Sequence, residues 1–145
     1  MSHSLSKSRY TLFHQCAKAL WLKIHKPELQ EIDASTQAAF ERGNEVGDLA
    51  MQRFGDFVEV TTLKPDGGLD LKAMIDKTSE EIQRGTSVIC EASFSINGHY
   101  CAVDILRKTA SGWAIYEVKS SSFSLADGNP RDLEKYVPDI AYQKW

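Results

Sequence analysis

The stretch Cys101-Ala102-Val103-Asp104-Ile105-Leu106 decides the fold, together with Ile115-Tyr116-Glu117-Val118-Lys119 a short distance downstream. Both stretches have the apolar and β-branched composition of buried β-strands. Each nevertheless contains charged residues, which are costly to bury unless something pairs with them. The two stretches therefore predict strands of one sheet and, on them, a site whose charges compensate one another.

Tight turns predict how these strands pair. Asn97-Gly98 is the strongest short signal for a β-hairpin, and a second turn follows around Ala110-Ser111-Gly112. Two consecutive hairpins joined in this way form an antiparallel meander. We therefore predict three antiparallel strands over residues 88–94, 100–107 and 113–120.

Helical periodicity flanks the meander. Apolar spacing and capping residues predict helices over 8–24 and 36–54, a third helix from about residue 71, and a last one over 133–145, with a short strand over 57–61. The fold class is therefore α/β, with a central mixed sheet flanked by helices in a single domain, 1–145. Gly43 and Gly47, four residues apart on one helix, predict a close backbone approach there. The last helix has no stop signal, so we expect the chain to be a fragment of a longer protein.

Composition restricts the classes of function. The chain has 145 residues, a formal net charge of −3 and three cysteines without a CxxC pair, which argues against a disulfide framework or a self-contained zinc site. We find neither a signal peptide nor an apolar run of membrane-spanning length, and expect a cytoplasmic protein without membrane association. The N-terminal segment up to Pro27 has no acidic residue, and its basic side chains form either a solvated helix face or a phosphate-contacting one. The candidates for contact with nucleic acid are Lys7, Arg9 and Lys18.

The hairpin register predicts a row of carboxylates. If Asn97-Gly98 is a two-residue loop, Glu91 lies opposite Asp104, and the second turn places Asp104 opposite Glu117. Because side chains alternate along a strand, Lys119 projects from the same face as Glu117. Like charges directly opposite one another are destabilising, and a divalent cation would remove that conflict. Oxygen ligands suit Mg²⁺ or Mn²⁺. The alternative is a surface ion pair between Glu117 and Lys119, with the other two carboxylates solvated.

These residues resemble the PD-(D/E)xK nuclease superfamily, specifically the RecB-like branch that includes the CRISPR-associated adaptation exonucleases. Ala102-Val103-Asp104-Ile105-Leu106 resembles the motif with the metal-binding aspartate, and Tyr116-Glu117-Val118-Lys119 resembles the ExK motif. Asp139-Ile140-Ala141-Tyr142-Gln143 resembles the glutamine-bearing helix that follows. The resemblance implies a restriction-endonuclease-like core.

The resemblance also implies roles for individual residues. Asp104 and Glu117 would bind the metal, the Val118 carbonyl would add a ligand, and Lys119 would act on the attacking water. Gln143 would position the nucleic acid or Lys119. Glu91 has no counterpart in the family, so its role as a metal ligand rests on the register alone.

Two features depart from the family pattern or extend beyond it. Gly47 stands where many members have a histidine, and Glu45 on the same helix is a candidate to replace that ligand; the alternative is that Glu45 is simply a solvated helix residue. Cys16 resembles the first of four cysteines that hold an iron–sulfur cluster in several members. One thiolate cannot hold a cluster, so we expect Cys16 to be a buried thiol here, with a cluster only in a longer parent protein.

The function expected from the sequence is hydrolysis of phosphodiester bonds of DNA by a divalent-metal-dependent nuclease. Whether the DNA is single- or double-stranded stays open. The alternative is a nuclease-fold module that has lost turnover and binds nucleic acid or a partner. A third possibility is a purely structural domain.

Overall fold

The computed structural model describes residues 5–121, 134 and 136–144. In this part of the chain a mixed five-stranded sheet is flanked by helices, so the α/β class is confirmed. The strands are β1 (Leu5–Ser6), β2 (Val58–Glu59), β3 (Val88–Ile96), β4 (His99–Thr109) and β5 (Gly112–Tyr116). The helices are α1 (Lys7–Gln15), α2 (Ala17–His25), α3 (Ala34–Met51), α4 (Leu71–Arg84) and α5 (Val137–Lys144).

Strand β4 is the centre of the sheet. It pairs with β3 along one edge, and along the other with β1 near its start and β5 near its end. The meander β3-β4-β5 is antiparallel, whereas β1 runs parallel to β4 and β2 runs parallel to β3. The sheet is mixed because both ends of its hydrogen-bonded path are short parallel strands.

The predicted hairpin register is confirmed. Ile96 faces His99, and the same register continues to Val88 opposite Arg107. Asn97 and Gly98 both have positive φ, 50° and 80°, as the tight hairpin turn requires. The second hairpin runs from Thr109 opposite Gly112 to Ile105 opposite Tyr116 and also has the predicted register.

The ladder is distorted at Glu91. This residue has φ of 57°, and it is not among the β3–β4 ladder pairs, although the pairs on both sides keep the register. Val88 and Cys90 belong to one core cluster, whereas Ile89 and Ala92 belong to the other. The alternation of side chains therefore slips by one residue at Glu91. On β4, Val103 and Ile105 likewise belong to different core clusters, although regular alternation would place them on one face.

The predicted first helix is two helices. Cys16 has extended backbone angles, φ −162° and ψ 109°, and divides α1 from α2. The N-cap of α1 is Ser6, whose hydroxyl accepts a hydrogen bond from the Arg9 amide, so the helix begins one residue earlier than predicted. Cys16 was expected to be buried but is exposed, whereas Cys90 is a core residue.

The two faces of the sheet carry separate apolar cores. Ile82 of α4 packs on the cluster that includes Ile89 and Val103. Ala50 and Met51 of α3 pack on the other cluster. The Gly43–Gly47 side of α3 does not approach another backbone: a Cβ at either glycine would have nothing within 4 Å, so the predicted close approach was wrong.

The last helix matches the prediction only in part. Residues 133, 135 and 145 of the predicted span lie outside the described residues, and α5 occupies Val137–Lys144. Among the described residues no helix has both the length and the apolar character needed to cross a membrane.

Candidate functional site

The carboxylates of the meander line one cleft. Glu91, Asp104 and Glu117 are on its wall, and its volume is about 540 Å³. Helix α3 contributes Gly43, Asn44, Gly47 and Asp48 to the same cleft. The bare glycine side of α3 therefore leaves space beside the acidic residues, which explains why its two glycines contact no other element.

Glu117 is the most heavily bonded residue of the site. Lys7 Nζ donates to its Oε1 at 3.2 Å and to its Oε2 at 2.9 Å. Lys119 Nζ donates to Oε1 at 2.6 Å, and Gln143 Nε2 donates to Oε2 at 2.6 Å. The Glu117 side chain is only 6% exposed. The ion pair with Lys119 thus exists, but it is not the surface pair of the alternative reading.

These partners control the ionisation of Glu117. Burial alone would raise its pKa, but the hydrogen bond from Lys119 and the charge of Lys7 hold the pKa of Glu117 below its ordinary value. Lys119 also forms an ion pair with Asp139 of α5, with 2.8 Å between Nζ and Oδ2. Burial would lower the pKa of Lys119, but the bonds to Asp139 and Glu117 raise it. Lys119 is therefore an ammonium ion at neutral pH.

Asp104 and Glu91 lack this compensation. Asp104 Oδ2 accepts a hydrogen bond from the Val118 amide at 2.7 Å, yet burial raises the pKa of Asp104. Burial and the charge of Asp104 raise the pKa of Glu91 to about 7. Among the described residues, both lysines of the site form ion pairs with Glu117, whereas neither forms an ion pair with Asp104 or Glu91.

The position of Glu117 differs from the prediction in one respect. Strand β5 ends at Tyr116, so Glu117 is not paired with Asp104 in the ladder. Instead the Val118 amide turns toward the Asp104 carboxylate and bonds to it. The two acidic residues still line the same cleft.

Glu45 is not brought into the cleft. It is exposed and is not among the cleft-lining residues of α3. Helical geometry explains this, because residues 43, 44, 47 and 48 share one side of the helix and residue 45 points away from it. The α3 carboxylate that lines the cleft is Asp48.

The three basic candidates have different positions. Lys7 is inside the site, as a partner of Glu117. Arg9 is half-buried on α1, and Lys18 is exposed on α2. The sequence reasoning missed the pairing of Lys7 with Glu117, since 110 residues separate them. It also missed Asp139 as the partner of Lys119, although Asp139 precedes Gln143 by four residues and so lies on the same face of α5.

The donor chemistry of the cleft fits a hard divalent cation. Carboxylate and carbonyl oxygens are the ligands that Mg²⁺ and Mn²⁺ prefer, and the cleft is lined by the carboxylates of Glu91, Asp104 and Glu117. Burial, with a smaller effect of neighbouring carboxylates, raises the pKa of Asp104 and of Glu91. Among the described residues, no three His, Cys, Asp or Glu side chains are already arranged around a common point suited to a metal ion.

Comparisons with known proteins add no assignment. A scan against protein-family models found no match, and neither did searches of curated proteins and of solved structures.

Proposed function

We propose that this chain is a divalent-metal-dependent nuclease domain, with a restriction-endonuclease-like core, that hydrolyses phosphodiester bonds of DNA. The observation that carries the proposal is the convergence of Asp104, Glu117 and Lys119 on one cleft, with Gln143 hydrogen-bonded to Glu117. Their order along the chain and their types match the motifs that the sequence resembles. Carboxyl groups whose pKa values are raised in a cleft, as those of Glu91 and Asp104 are, are typical of functional sites.

The acidic residues of the cleft would form the metal site. Asp104, Glu117 and the Val118 carbonyl would hold Mg²⁺ or Mn²⁺, with Glu91 as a further carboxylate beside them. The bound cation would lower the pKa of an attacking water and neutralise charge on the phosphate. The Val118 amide fixes Asp104 Oδ2, which leaves Oδ1 of the same carboxylate for a ligand.

Lys119 acts as a charged donor and not as a general base. Its raised pKa keeps the ammonium protonated at neutral pH. From its place beside Glu117 the ammonium would orient the attacking water and stabilise the charge that develops on the phosphorane. Gln143 holds Glu117 from α5 and so keeps this arrangement in place.

DNA cleavage tests the proposal. Labelled single- and double-stranded DNA would be incubated with the protein in Mn²⁺ or Mg²⁺, for wild type, Asp104→Asn and Lys119→Ala. Asparagine can still accept the Val118 hydrogen bond but loses the charge, so Asp104→Asn isolates the carboxylate. We expect each of the two variants to cleave DNA at least about 100-fold more slowly than wild type does. A loss of this size is typical when a group that stabilises the transition state is removed.

Lys64→Ala is the matched control. Lys64 is an exposed lysine at the turn before α4 and does not line the cleft, so this variant should cleave like wild type. Equal metal-dependent cleavage by wild type, Asp104→Asn and Lys119→Ala would contradict the assignment.

A second candidate is a module that binds nucleic acid without turnover. The pairing of both Glu117 oxygens with Lys7 favours it, because that contact holds the carboxylate away from a metal. Gly47, in place of a histidine ligand, favours it as well. Binding of DNA with a steep salt dependence but no cleavage in either metal would support this candidate over the nuclease.

A further inference from the structure

We propose that Lys7 is an exchangeable counterion: a divalent cation can bind Glu117 only by displacing the Lys7 ammonium, which is then free to neutralise a substrate phosphate. The inference rests on the proposed function, since it concerns the same cleft. It adds a positioning residue that lies on α1, far in sequence from the metal ligands.

The hydrogen-bonding capacity of Glu117 is already full. An ionised carboxylate offers about four lone-pair positions on its two oxygens. Lys7 and Lys119 donate to Oε1, and Lys7 and Gln143 donate to Oε2. No acceptor position remains for a metal ion while all three side chains stay. At least one donor must leave before Glu117 can become a ligand.

Lys7 is the donor most easily displaced. Its contacts with Glu117, 3.2 and 2.9 Å, are longer than the 2.6 Å contacts of Lys119 and Gln143. Lys119 is also held by the Asp139 carboxylate, and Gln143 by the Asp139 carbonyl at 3.2 Å. Within the described residues, Glu117 is the only ion-pair partner of Lys7.

The displaced ammonium has space beside the cleft. Lys7 and His14 of α1 and Asp139 of α5 line a second cavity of about 870 Å³, which Glu117 and Lys119 border as well. A lysine stem is long and flexible, so the Lys7 ammonium can move into this cavity without unwinding α1. A phosphate bound at the cleft edge would then meet both ammonium groups, Lys7 and Lys119.

Calorimetric titration with Mn²⁺ alone tests the exchange without measuring cleavage. Lys7→Met removes the competing charge, and we expect its dissociation constant for Mn²⁺ to be about tenfold lower than that of wild type, equivalent to about 1.4 kcal/mol. Lys7→Arg keeps the charge and should bind like wild type. Lys64→Met, at an exposed lysine away from the cleft, is the control for a general change in net charge. A purely structural role of Lys7 would predict weaker binding in Lys7→Met, not tighter binding.

Lys7→Gln removes the charge with a polar side chain and replaces Lys7→Met if the latter does not fold. Mn²⁺ binding by Lys7→Met or Lys7→Gln that is equal to or weaker than that of wild type would overturn the exchange and leave the proposed function standing. Absence of Mn²⁺ binding in wild type and in every variant would overturn both the exchange and the metal dependence of the proposed function.

Discussion

At the scale of single residues, Glu91 combines backbone strain with an unfavourable charge. Its φ of 57° is rare for a residue with a side chain and costs on the order of 1 kcal/mol. The Ser93 hydroxyl donates to the Glu91 carbonyl at 3.0 Å and helps to hold this conformation. Glu91 lines the same cleft as Asp104, and burial and the charge of Asp104 raise the pKa of Glu91. Strain of this kind is commonly found where a fold positions functional groups.

Glu91→Gln should change how stability depends on pH. Burial and the charge of Asp104 raise the pKa of Glu91 to about 7 in the folded protein, against an ordinary value of 4.5. Between these values the unfolded chain loses a proton that the folded protein keeps, so rising pH favours unfolding. In EDTA, wild type should lose about 1–2 kcal/mol of unfolding free energy from this group between pH 4.5 and 8, after allowance for solvent screening.

Urea unfolding of wild type and Glu91→Gln across this pH range measures the effect. The free energy of unfolding of the variant should fall less than that of wild type as pH rises. A smaller fall remains in both proteins, because the pKa of Asp104 is raised as well. Glu80→Gln, at an exposed glutamate of α4, should follow wild type. Parallel pH profiles for wild type and Glu91→Gln would contradict the raised pKa.

At the scale of elements, one hydroxyl joins α4 to β3. Thr78 is buried; its hydroxyl donates to the Met74 carbonyl at 2.8 Å and accepts from the Ser93 amide at 2.9 Å. The Ser93 hydroxyl continues the chain of bonds to Glu91 and to the Tyr100 hydroxyl. The docking of α4 on the sheet is thus connected to the distorted part of β3 through polar contacts.

Thr78→Val should destabilise the protein by about 1–3 kcal/mol. Valine has the shape of threonine but cannot accept the hydrogen bond, so the buried Ser93 amide would have no partner. Urea unfolding measures the loss. Thr78→Ser keeps the hydroxyl and loses one methyl group, and should cost about 1 kcal/mol or less. A larger loss in Thr78→Ser than in Thr78→Val would show that packing, and not the hydrogen bond, controls this contact.

The meander could be predicted because the residues that determine its strand pairing are close together in the sequence. The turn at Asn97-Gly98 fixes the register of two adjacent strands, and the pairs on either side of Glu91 follow from it by counting. Counting also predicted a direct pair of Glu91 with Asp104, which is not in the ladder because the backbone is distorted at Glu91, although both residues and Glu117 line one cleft. It could not show that β5 would end at Tyr116, because the competing bond from the Val118 amide to a side chain leaves no pattern in the sequence.

Other features lacked a local signal. The apolar spacing of the first helix continues across Cys16, so periodicity alone could not reveal the break between α1 and α2. Strand β1 has two residues, too few for an alternating pattern, and its partner β4 is distant in the chain. The pairing of Lys7 with Glu117 depends on this distant contact. The sequence alone therefore could not distinguish a solvated helix face from a functional one in the basic N-terminal segment.

At the scale of the whole molecule, the two ends of the described chain meet beside the candidate site. The Tyr142 hydroxyl of α5 donates to the Leu5 carbonyl of β1 at 2.6 Å, and the Tyr142 ring stacks against Tyr10 of α1 with 5.1 Å between centroids. Lys7, at the start of α1, and Gln143, next to Tyr142 on α5, both form hydrogen bonds with Glu117. The site therefore depends on contacts between the first and the last elements.

Tyr142→Phe should loosen both terminal elements together. The lost hydrogen bond is worth about 1 kcal/mol, and its removal leaves the Leu5 carbonyl without this donor. Hydrogen exchange followed by mass spectrometry should show faster exchange in α1 and α5, with protection of the meander unchanged. Tyr116→Phe is the control, since it removes a hydroxyl from the core side of the sheet, where Tyr116 packs on Phe54. Equal acceleration in the meander would mean that the ends do not open separately.

The contact between Tyr142 and Leu5 joins residues 137 positions apart and has a consequence for folding. The hairpins form from neighbouring residues and close quickly, whereas a contact across most of the chain carries a large entropic cost of loop closure. The sheet should therefore exist before its terminal helices dock. During synthesis and refolding, Asp104 and Glu91 would first be exposed to water as an incomplete acidic patch, and Lys7 and Gln143 would reach Glu117 only in the final step.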